Sequence, residues 1–149
     1  MFGESPPSTY HGTQPNEVIR EHLKSTHIMA YPSTWMETSC ICLMEAMSAG
    51  LVCVHPNYGA LYETASNWTM MYQWHEDQQM HAQVFHSALR EAIINYNQYG
   101  NHQTRSMQSY ANVFYNWNIR QHQWANVLQW LIESVSDRSL PAQKWSYSS

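Results

Sequence analysis

At 149 residues the chain is long enough for one domain that buries a core without a disulfide or metal staple, and its 44 % apolar and 13 % aromatic content excludes a disordered tail. Only 12 % of residues are charged and the net charge is −4, so nothing supplies the basic patch that a phosphate backbone demands, which argues against nucleic acid as a partner. No apolar run approaches the roughly 18 residues of a transmembrane helix, and Met1–Thr13 lacks the basic start and apolar stretch of a secretory signal.

In chain order, Met1–Pro15 is rich in Pro, Gly, Ser and Thr and reads as coil. The spacing predicts a helix over Asn16–Ser25, capped by Asn16, with Val18, Ile19, His22 and Leu23 on one face. His27–Tyr31 is a short apolar run stopped by Pro32-Ser33, as in a buried strand. A second helix is predicted from Ser39, capped by Thr38 or Ser39, with Cys40, Leu43, Met44 and Met47 inward and Gly50 at its end. Leu51–Val54 reads as another buried strand, His55–Gly59 as the loop after it, Ala60–Ala65 as a short helix and Thr69–Gln73 as a weaker strand. From Asp77, Met80, Val84, Ala88, Ala92 and Tyr96 recur every four residues, the mark of a long amphipathic helix ending at Gly100. Two more helices carry Met107–Tyr115 and Trp124–Val135, and the tail from Asp137 reads as loose.

Short buried strands alternating with helices imply an α/β fold: an incomplete Rossmann-like parallel sheet of three to four short strands, flanked by helices, with a helical C-terminal third. The expected organisation is a single domain over 1–149, with the α/β part at 10–75, the helical part at 76–136 and the tail at 137–149. Ligands of such sheets sit beyond the carboxyl ends of the strands, which sets the loops Pro32–Ser39 and His55–Gly59 side by side. Glu37 lies just before the second helix and Glu45 inside it, with the amides of about Ser39, Cys40 and Ile41 unpaired between them. A helix start favours phosphate and a carboxylate accepts from sugar hydroxyls, so this segment has the chemical outline of a nucleotide-sugar site. Two glutamates at this spacing also occur by chance, and a Glu near a helix start is stabilising for dipole reasons alone.

The stretch His27-Ile-Met-Ala-Tyr-Pro-Ser33, then Glu37-Thr-Ser-Cys-Ile-Cys-Leu-Met-Glu45-Ala-Met-Ser-Ala-Gly50-Leu-Val-Cys-Val54, then Asn57-Tyr-Gly-Ala-Leu-Tyr-Glu63, resembles the C-terminal, donor-binding domain of retaining GT-B glycosyltransferases of the glycogen-synthase-like and sucrose-synthase-like group. The resemblance covers about Tyr10–Phe85. It implies that Glu37 contacts hydroxyls of the donor sugar and is the catalytic candidate, that Glu45 holds the ribose, and that Thr38, Ser39 and Cys40 line the diphosphate through their amides. Ser33, Asn57 and Gly59 would stand in loops near the site, with Glu63 as the acid of the second loop. Such enzymes transfer a sugar from a nucleoside diphosphate with retention, and the resemblance implies neither metal nor other cofactor. Thr38-Ser39-Cys40 stands where the family has Gly-Phe-Gly, and Ala60 where it has its second loop glycine. The acceptor domain and the strand that carries the family's Arg and Lys have no counterpart, so the chain resembles the last part of such an enzyme: a fragment, a short reading frame, or a subunit completed by another chain.

Cys40, Cys42 and Cys53 are odd in number and read as free thiols in a reducing, hence cytoplasmic, setting. His75, His81 and His86 lack the spacing of a zinc motif and read as surface or satisfied polar side chains. The aromatics of the last two helices read as core or interface, so self-association, or a partner chain over the exposed sheet edge and helices, is expected. The rival to a nucleotide-sugar-binding transferase is a non-catalytic interaction module that keeps the fold only.

Overall fold

The computed structural model describes residues 8–99 and 103–136. The first seven residues of the expected coil, the Gly100 helix end and the 137–149 tail lie outside the described residues. Three short strands, β1 (Ile28–Ala30), β2 (Val52–Asn57) and β3 (Met70–Gln73), form one parallel sheet in the order β1-β2-β3. Ile28 pairs with Val52 and Ala30 with Val54, while Val54 pairs with Met70 and Asn57 with Gln73. Parallel neighbours need crossover connections, and helices supply them: α2 (Ile41–Ala49) between β1 and β2, α3 (Leu61–Ala65) between β2 and β3. The architecture is therefore α/β, an incomplete Rossmann-like sheet with flanking helices.

Strand side chains alternate between faces, and both faces of this sheet are covered. Val52, Val54 and Tyr72 face α4 (Gln78–Ile94), where Ala92 is buried and Val84, Phe85 and Ala88 pack beside it. Met29, Cys53 and His55 fall on the opposite face, where α2 and α3 bury Leu43, Ala46, Met47, Leu61 and Ala65. Double coverage explains why Leu51–Val54 is continuously apolar rather than alternating. Gly50 closes α2 in the left-handed region, φ 82°, as its sequence position suggested.

Several boundaries differ from the sequence expectation. α1 (Asn16–Ser25) is capped by Pro15, whose carbonyl accepts from the Val18 and Ile19 amides, and the Asn16 side chain makes no cap bond. β2 runs three residues further than its pairing with β1, through His55 and Pro56 to Asn57. There it has a neighbour on one side only, the setting in which a strand tolerates proline. Asp77 caps α4 by accepting from the Met80 amide, and this turns Met80 outward and His81 inward. The expected single helix to Gly100 instead breaks at Asn95, whose carbonyl receives Gln98 and Tyr99 and starts α5 (Tyr96–Tyr99). That break swings Tyr96 and Tyr99 onto the sheet core, Tyr96 edge-on to His27 at 5.5 Å.

By packing, the chain divides into two compact units, Met1–Ala111 and Asn112–Ser149. The first includes most of α6 (Gln103–Phe114), anchored by buried Met107 and Ala111 and by a bond from Gln108 Nε2 to the Ser48 carbonyl, 2.9 Å. The second holds α7 (Trp117–Ser136), whose start is set by Asn116: its side chain accepts from the Asn118 amide and its carbonyl from Ile119 and Arg120. Among the described residues no helix is long and apolar enough to cross a membrane.

Candidate functional site at the start of α2

The carboxyl ends of β1 and β2 open onto one rim, and two loops meet there. The first leaves β1 through Tyr31, whose amide still donates to the Val54 carbonyl at 2.9 Å. Ser33 is buried and folds the next turn: its hydroxyl takes the Trp35 amide and reaches the Trp35 carbonyl, both at 3.2 Å. Trp35, Met36 and Ile41 are exposed at this rim. The second loop, Tyr58–Ala60, follows β2, and Tyr58 stacks face to face on Trp74, with ring centres 4.2 Å apart, beyond the end of β3.

The two loops touch through backbone at Glu37. The Ala60 amide donates to the Glu37 carbonyl at 2.7 Å. Gly59 has φ 57°, and a Cβ there would stand 2.6 Å from the Glu37 carbonyl oxygen and 2.8 Å from its nitrogen. No side chain fits, so glycine is required twice over, by conformation and by close approach. The Glu37 carboxylate is also held: the Tyr31 phenol donates to its Oε1 at 2.6 Å. That bond first, and burial second, raise the Tyr31 phenol well above its ordinary range.

The helix start itself lies later than the sequence suggested. α2 begins at Ile41 with Cys40 at the cap, and no side chain bonds the cap position, Thr38 and Ser39 included. Because Glu37 is clasped by the second loop, the chain uses 38–40 to travel from that anchor to the helix. The open first-turn amides are accordingly those of exposed Ile41 and Cys42 rather than Ser39, Cys40 and Ile41, since Leu43 is fully buried and its amide faces the Cys40 sulfur. Thr38 and Ser39 are exposed, and Cys40 is buried, with burial pushing its thiol up.

Glu45 projects from the second turn of α2 into a groove of about 280 Å³ between α1 and α2. Asn16, Ile19, Leu23, Met29, Ile41 and Cys42 line the same groove, and the Arg20 Nε lies 3.5 Å from the Glu45 carboxylate. Glu37 is not part of that groove. The two acids therefore stand on either side of the helix start, one clasped at the rim and one in the groove, without sharing a cavity wall. Asn57 ends β2 exposed, beside the rim.

The family model described as "Glycosyl transferases group 1" matches residues 6–111, well over half the chain. This chain belongs to the group 1 glycosyl transferases. Among curated proteins and solved structures none matches it. The segment that identifies it as a group 1 glycosyl transferase ends at Ala111, where the first compact unit also ends, so the sheet, both loops and the groove all lie within it.

In this glycosyl transferase domain, two features escaped sequence reasoning. Arg20 sits on a helix that looked merely amphipathic, and only the packing of α1 on α2 brings it to Glu45. Tyr31 looked like the last residue of a buried strand, and its hydroxyl reaches Glu37 in the loop that packs against Gly59. Among the described residues no group of three or more His, Cys, Asp or Glu gathers as a metal would need. His81, expected at the surface or satisfied, is buried: Nε2 meets the Tyr72 hydroxyl at 3.2 Å and Nδ1 has no partner.

Proposed function

We propose that this domain binds a nucleoside-diphosphate sugar across the start of α2, as the donor side of a retaining, GT-B-type transferase. In this reading the diphosphate lies against the amides of Ile41 and Cys42, where unpaired donors and the helix dipole both favour negative charge. Glu45 accepts the ribose hydroxyls, with the Arg20 Nε 3.5 Å from its carboxylate. The base rests in the groove against Ile19, Leu23 and Ile41, with Asn16 as a polar contact. Glu37 faces the sugar from the rim and accepts from its hydroxyls.

The chemistry asked of the domain is stabilisation of a departing diphosphate as the bond to the anomeric carbon breaks. Preorganised amides at a helix start stabilise such a charge without reorganising. The observation that carries the reading is the backbone clasp of Glu37 by Gly59 and Ala60, which fixes an acid at the carboxyl rim immediately before an uncapped helix start.

Calorimetry with UDP, ADP and their glucose conjugates tests this. The expected result is binding of at least one conjugate that disappears in Glu45→Ala while the melting temperature holds. No binding to any of the four at millimolar concentration would leave the chain as a domain that keeps the fold without the donor site.

A further inference from the structure

We propose that Tyr31 is a positioning residue for Glu37: its phenol locks one carboxylate oxygen and leaves the other turned to the donor sugar. The inference rests on the reading of Glu37 as the sugar contact. It starts from the number of restraints on that one residue. The Glu37 carbonyl is held by the Ala60 amide, its backbone is pressed on Gly59, and its Oε1 is held by the Tyr31 hydroxyl at 2.6 Å. A glutamate side chain at a loop surface otherwise samples several rotamers, and fixing it on binding would weaken the complex.

Tyr31 is well suited to the task because it is itself fixed. It continues β1, its amide is bonded to the Val54 carbonyl in the sheet, and Ser33 in the next turn is buried. The phenol thus transmits the rigidity of the sheet to a carboxylate six residues away in sequence. An ionised carboxylate offers about four acceptor positions on two oxygens. One is used by Tyr31, and among the described residues Oε2 has no protein partner. Donation by a phenol to a carboxylate is a charge-assisted bond, stronger than a neutral one, so the orientation persists in water.

Two other tyrosines bond to glutamates, Tyr62 to Glu63 and Tyr99 to Glu91, but both pairs are exposed and neither acid stands at the rim clasp. Tyr99→Phe therefore serves as the control for loss of a phenol as such.

The test compares dissociation constants for UDP and UDP-glucose, and for ADP and ADP-glucose, in the wild type, Tyr31→Phe, Glu37→Gln, the double variant and Tyr99→Phe. Phenylalanine keeps the ring and removes only the donor, and melting curves confirm folding. Tyr31→Phe is expected to weaken the sugar conjugate by about tenfold, the scale of one hydrogen bond to a charged group, and to leave the matching nucleotide unchanged. Glu37→Gln is expected to act on the same complex, and the double variant to lose less than the product of the two. Tyr99→Phe should bind as the wild type does.

The positioning role is overturned if Tyr31→Phe weakens nucleotide and conjugate alike, if it weakens neither, or if its effect multiplies fully with that of Glu37→Gln. A wild type that binds none of the four ligands overturns the donor-site reading and this inference with it. A wild type that favours the conjugate through Glu37 but ignores Tyr31→Phe overturns the inference alone.

Discussion

His55 is fully buried in β2, and its two ring nitrogens are both engaged. The Pro56 carbonyl can only accept, so Nδ1 carries the proton, and Nε2 accepts from the Thr69 hydroxyl at 2.7 Å. Burial lowers its pKa below the ordinary 6.5, with the Pro56 bond a smaller opposing effect. The neutral ring is therefore the folded form. The stability it contributes is complete above the unfolded value of 6.5 and is lost as pH falls through the lower folded value. Urea midpoints should be level between about pH 7 and 8, below the range where the buried thiols matter, and drop on acidification, and His55→Gln, whatever its baseline, should lose part of that slope. A midpoint that rises as the solution is acidified from pH 7 to 5 would contradict the assignment. Nothing in the sequence marked this residue as core: a histidine before Pro-Asn resembles a loop, and only the length of the β2–β3 pairing makes it a strand residue.

At the level of elements, strands and helices were legible because their signals are local. Val52–Val54 is apolar throughout since both sheet faces are covered, and Gly50 marks the end of α2 because only glycine takes φ 82° freely. The start of α2 was misread by two residues, for Thr38 and Ser39 are good caps by type but the chain there is committed to the Glu37 clasp. That clasp is a contact across more than twenty residues of sequence, and no periodicity reports it. The same holds for the α1–α2 groove, which needs Ile19, Leu23 and Ile41 from two helices. The expectation placed Glu37 and Glu45 about a common site; in the structure Glu37 lies at the rim and Glu45 lines the groove. The joint between the loops gives a direct prediction. Gly59→Ala forces a side chain into the Glu37 backbone at φ 57°, and should cost about 2–4 kcal/mol of stability in denaturant titration. The surviving folded fraction should bind sugar nucleotide more weakly, because Glu37 must move. An alanine variant as stable as the wild type would mean that the two loops part without cost.

Across the molecule, one arrangement serves both fold and proposed site. The parallel sheet sends the ends of β1 and β2 to the same rim, the crossover α2 presents its uncapped start there, and α1 packs on α2 to make the groove. All of it lies in the Met1–Ala111 unit and within the segment that matches the group 1 glycosyl transferases. A net charge of −4 offers a dianionic ligand no general attraction, so binding has to come from local donors at the helix start. The most direct measurement is amide NMR of the full chain, titrated with UDP-glucose and ADP-glucose. The account predicts that the largest shifts fall on the backbone amides of Ile41 and Cys42, with smaller ones at Asn16 and Gly59. Shifts concentrated elsewhere, with those two amides unmoved at saturation, would contradict it.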